Sequence, residues 1–75
     1  MSQNSNQKPS AEEWIRSFAA LLSQEPPDAA ATEVLLSIAA EAAHGSERVA
    51  APIACYLVGL AGIEPAQALA RIRNK

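Results

Sequence analysis

Val49 to Ile63, VAAPIACYLVGLAGI, is a run of 15 residues without a single charged side chain. How it folds governs everything around it. The run falls short of the ~20 apolar residues that a bilayer-spanning helix needs, so it reads as part of a globular core. Glycine and proline also break it. Pro52 suits the first position of a helix, where its missing N–H is not needed. Gly62 suits the left-handed residue just past a helix end, with Ile63 folding back onto Val58. The stretch therefore predicts a helix from about Pro52 to Ala61. Ile53, Ala54, Tyr56, Leu57, Val58 and Leu60 make it apolar all round, which predicts the central, most buried helix of the domain. Ala51, Cys55 and Gly59, four apart, give it a small side for close helix approach.

Immediately upstream lies the corner HGSERVAAP, His44 to Pro52. Before it, Asp28 opens a second helix near its positive dipole end. Ala31, Val34, Leu35, Ile38 and Ala42 share the core face of that helix, while Glu33, Ser37 and Glu41 look outward. Leu36 falls off the core face and needs another contact. Gly45 is expected in the left-handed conformation beyond the helix end. Further upstream, Ser10 and Glu13 form a capping box. They start a first helix with Trp14, Phe18, Leu21 and Leu22 on one face, widened by Ile15. Pro26-Pro27 stops it. Residues 1–9 are polar and expected to form a disordered arm, leaving a single helical domain over 10–75. Downstream, Glu64-Pro65 starts a fourth helix with Ala68, Leu69 and Ile72 inward. Arg71, Arg73 and Lys75 sit at its negative dipole end. The fold class is thus all-α, a compact bundle of four short helices.

The chain has 75 residues, and a domain of that size buries only about 60% of its unfolded surface, so the core is thin. Its net charge of −2 is unlike the basic balance of a nucleic-acid binder. One cysteine leaves no internal disulfide and fits a reducing cytoplasm. The polar N-terminus has no apolar stretch of the signal-peptide kind. The expected location is cytoplasmic, with no membrane partner.

Three features bear on function. His44, Glu47 and Arg48 bring an imidazole, an acid and a guanidinium within five residues. The reading preferred here is an inter-helix corner, with His44 and Arg48 answering the carbonyl end of helix two and a contact surface as the second role. One histidine and one cysteine do not make a typical zinc site, and no nucleophile–base–orienter set or phosphate loop is present. Cys55 reads as a small core residue. No catalytic residue, metal or cofactor is assigned. Second, Leu36 and Ile15 are the apolar residues most exposed to being left over. They predict weak self-association or contact with a protein partner through helices one and two. Third, residues 52–75, with Gln67, Arg71 and Arg73 on the last helix, have a helix-turn-helix outline. Three basic residues are few for phosphate neutralisation, and Arg71 and Arg73 project about 200° apart, so nucleic acid is the lesser reading.

Trp14, Ala43-His44, Arg48, Ala50-Ala51-Pro52 and Tyr56-Leu57-Val58-Gly59-Leu60-Ala61 together carry a resemblance over residues 10–73. The pattern resembles a small uncharacterised actinobacterial helical domain that occurs alone or appended to a molybdenum cofactor guanylyltransferase. Val49 stands where that family has proline. The resemblance implies no reaction of its own. It implies a non-catalytic accessory module in molybdopterin-guanine dinucleotide synthesis, with a guanylyltransferase as partner.

Overall fold

The computed structural model describes residues 8–75, so most of the arm expected at 1–9 lies outside the described residues. Four helices follow one another: α1 (Ala11–Leu21), α2 (Ala29–Gly45), α3 (Ala50–Ala61) and α4 (Pro65–Arg73). Among the described residues there is no strand. The all-α, four-helix expectation holds.

Local chemistry accounts for each boundary. The Ser10 side chain accepts from the Glu13 N–H at 3.1 Å, and the Ser10 N–H donates to the Glu13 carboxylate at 3.2 Å. That reciprocal pair satisfies two N–H groups that the first turn leaves free. α1 ends five residues before Pro26, not at the prolines. Ser23 adopts a left-handed φ of 58°. Its N–H reaches the Ala20 carbonyl at 3.0 Å, and the Gln24 N–H reaches Ala19 at 2.9 Å. This is a Schellman stop built on serine instead of glycine. Asp28 caps α2 by accepting from the Ala31 N–H at 2.8 Å. Gly62, with φ of 73°, ends α3 as expected. Glu64 precedes α4, and Pro65 occupies its first turn.

Gly45 departs from expectation. It is the last residue of α2, with no positive φ, and Ser46 terminates the helix through its N–H to Ala42. α3 also starts two residues ahead of Pro52, at Ala50. The Ala50 and Ala51 N–H groups already bond to the carbonyls of Glu47 and Arg48. A proline in the first turn of a helix loses no bond, so its exact place there is unconstrained.

Packing brings the main correction. The central helix is α2, not α3. Both α3 and α4 lie against α2, whereas α1 makes no comparable contact with the other three. Ile38, on α2, is 0% exposed and is the one large side chain among the described residues wholly removed from solvent. Ala68 of α4 and Ala19 of α1 are the other buried apolar residues. α3 contains no buried residue. Its Ala51, Ala54, Cys55 and Val58 are half-buried, and the Cys55 thiol donates to the Leu35 carbonyl of α2 at 3.7 Å. Its opposite side stays open, with Leu57 54% exposed. A helix with one neighbour has one covered face, whatever its composition. Gly59 does not serve close approach either: a methyl group built there meets nothing within 4 Å.

Two stability changes follow. Ile38→Ala removes the best-packed side chain and is expected to cost ~2–5 kcal/mol, enough to unfold most molecules of a small domain. An unchanged urea midpoint would show that α2 is not the centre. Gly59→Ala is expected to gain ~0.5–1 kcal/mol, because the helix interior there has ordinary backbone angles and open space. A loss of stability in the same titration would mean that something does approach Gly59.

Candidate functional site

The polar corner splits when it folds. His44 lies in the last turn of α2, where a basic side chain complements the carbonyl end. Glu47 and Arg48 instead precede α3, and their carbonyls accept its first N–H groups. Arg48 therefore does not cap α2. It stands just before the N-cap Val49, at the positive end of α3, the end that favours Glu47. All three side chains are exposed. Among the described residues neither ion pair includes any of them.

His44 has different neighbours from those its sequence position implies. Ser37, Ala40, Glu41 and His44 form one edge of α2, and Arg73 comes to that edge from the end of α4. The Arg73 Nε donates to the Glu41 carboxylate at 3.1 Å, joining residues 32 apart in the chain. Glu41 and Ser37 were expected to look outward. They are half-buried along the α2–α4 seam instead. The spacing 37, 41, 44 marks a helix edge in the sequence, but the return of Arg73 to it depends on how α4 packs. The result is an open polar cleft of about 380 Å³ holding an imidazole, a hydroxyl and an ion pair. Cys55 belongs to the α2–α3 seam, apart from this cleft. Among the described residues no cluster of three or more His, Cys, Asp or Glu is placed to hold a metal ion.

The second expected pair does come together. Ile15 of α1 and Leu36 of α2 line one groove of about 480 Å³ between the two helices, closed at one end by Pro26 and Pro27. Leu36 remains 65% exposed there. Glu12, Arg16 and Glu33 stand at the groove's edge, and Arg16 pairs with Glu12 at 3.2 Å. An apolar floor with a charged rim is the usual anatomy of a protein contact surface. No helix of the described residues is long and apolar enough to cross a membrane.

The sequence pattern of a family described as "Domain of unknown function (DUF6457)" matches residues 6–74, nearly the whole chain. The chain belongs to the DUF6457 family. The match takes in all four helices, the groove and the cleft together, so these are parts of one family domain. Neither the curated proteins nor the solved structures contain a match.

The corner residues are expected to carry little stability. Arg73 is exposed and Glu41 only half-buried, so Arg73→Ala should cost less than ~1 kcal/mol, and the difference should shrink in high salt. Arg48→Ala should stay within about 0.5 kcal/mol of the parent. Urea titrations at low and high salt check both. A larger loss for Arg48→Ala would restore it as a cap.

Proposed function

We propose that this domain is a non-catalytic protein-interaction module, and that the Ile15–Leu36 groove between α1 and α2 receives the partner. The observation that carries this reading is the groove itself. Two large apolar side chains from different helices converge on it, remain solvent-exposed, and are rimmed by charges of both signs. Leu36, 65% exposed, has no role in the chain's own core. Contact with a partner would remove it from water, at roughly 25 cal/mol for each Å² covered.

The partner proposed is a molybdenum cofactor guanylyltransferase. The support is the sequence resemblance of residues 10–73 to a domain that occurs alone or appended to that enzyme. On this reading the domain serves molybdopterin-guanine dinucleotide synthesis by contact and carries no reaction. His44, exposed at the α2–α4 cleft, and Glu47, exposed at the entry of α3, would lie at the rim of a broad contact. The helix-turn-helix alternative over residues 52–75 has less behind it. Arg73, one of its three clustered basic residues, is already engaged by Glu41.

Calorimetric titration of the domain against a guanylyltransferase from the same organism tests the assignment. Binding is expected, and Leu36→Glu should weaken it at least tenfold, about 1.4 kcal/mol, by placing a charge on the groove floor. No binding by the parent domain would overturn the partner. Equal binding by Leu36→Glu would overturn the groove.

A further inference from the structure

Two helical faces of this chain are apolar and largely exposed among the described residues, with Lys8 and Pro9 beside Trp14 at the start of one. On α3, the residues turned away from α2 are Ile53, Tyr56, Leu57 and Leu60, with Val49 one turn ahead. All are exposed, Leu60 at 67%. Their spacing of i, i+3, i+4 and i+7 is that of a face that seats another helix. On α1, Trp14, Phe18 and Leu21 form a ridge at i, i+4 and i+7, beside the Ile15–Ala19 side that faces the α2 groove. The Trp14 and Phe18 rings stack with centroids 5.1 Å apart, which stiffens the ridge. Leu21 is 81% exposed. Neither set includes a charged residue.

Isolated exposed apolar residues are ordinary, but contiguous faces mark contacts. With side chains of this size, each face offers on the order of 500 Å². The two together offer roughly 1,000 Å² per chain, more than the ~800 Å² per partner of a standard stable interface.

The occupant is argued from the same observations. Among the described residues Ile38 is the only large side chain wholly out of water, so the core is too thin for a domain that must stand alone. A partner that completes such a core has to be present whenever the chain is, and a second copy meets that condition. Each chain also holds one ridge and one seat, of similar length and equal hydropathic character. Reciprocal pairing uses both and leaves neither over, giving a closed two-fold contact. The ridge does not reach the seat within its own chain, because α1 lies on the α2 side next to Pro26-Pro27 and makes no substantial contact with α3.

We propose that the protein is a two-fold dimer in which the Trp14–Phe18–Leu21 ridge of each chain seats on the Ile53–Tyr56–Leu57–Leu60 face of the other. This surface is separate from the Ile15–Leu36 groove, so either assignment can fail without the other.

Sedimentation equilibrium of the full chain, with two variants, tests the arrangement. Phe18→Glu breaks the ridge, and Leu57→Glu breaks the seat. The parent is expected at twice the chain mass of 7.9 kDa, and each variant alone at the single-chain mass. An equal mixture of the two variants should show a higher mean mass than either variant alone, because the mixed pair keeps one of the two ridge–seat contacts intact. Trp14, the only tryptophan, reports the same event: its emission should shift to the red when the parent is diluted to single chains. A parent that stays at the single-chain mass at high concentration overturns the proposal and leaves a monomer closed on itself. A mixture that associates no more than either variant alone overturns the pairing of ridge with seat. Should either variant lose helicity alone by circular dichroism, recovery of both mass and helicity on mixing remains the deciding result.

Discussion

Everything in this small protein depends on α2 having two neighbours while every other helix has one or none. α3 and α4 both pack on α2, and among the described residues Ile38 of α2 is the one large side chain closed off from water. The other contacts are one-sided: alanines, Cys55 and Val58 of α3 on one flank, Pro65, Ala68, Leu69 and Ile72 of α4 on the other. Small side chains let the helices approach, but they remove little apolar area, and at roughly 25 cal/mol per Å² that limits what the seams contribute. The helix caps then matter more than they would in a larger domain. Ser10, Asp28 and Gly62 each fix an end that packing does not.

The same economy explains the surface. A chain that is 49% hydrophobic but has a single two-sided helix cannot place its large apolar residues inside. They are sorted into three places: a groove between α1 and α2, a ridge on α1 and a face on α3. Loose exposure would scatter them. Here they fall at helical spacings, which is how residues are arranged when a second helix is to cover them. The exposed apolar residues are thus grouped by helix face, and charged residues line the α1–α2 groove beside them.

The polar corner illustrates how tertiary packing reassigns roles. In the chain, His44, Glu47 and Arg48 are near neighbours. In the fold, a helix ends between the first and the other two. His44 joins Ser37, Glu41 and Arg73 across the α2–α4 seam, while Glu47 and Arg48 belong to the entry of α3. Proximity in sequence was the wrong guide because a turn separates dipole ends of opposite sign.

The sequence by itself determined the elements. Capping residues and glycine signals act over three or four residues, so the starts of α1, α2 and α4 and the end of α3 were legible. So were the inward residues of α2, since a single face with a 3.6-residue period needs no knowledge of its neighbour. Leu36 and Ile15 were legible as misfits for the same reason, and they do meet. Only the tertiary structure decided which helix lies at the centre. An apolar helix such as α3 has the same composition whether its second face meets its own chain or another, and that difference is not written in any local pattern. The Glu41–Arg73 pair was hidden likewise, because it needs the last turn of α4 to pack beside the C-terminal half of α2. Caps and periodicity are set by the backbone within one turn, whereas neighbours are set by how whole helices share a core that is too small for all of them.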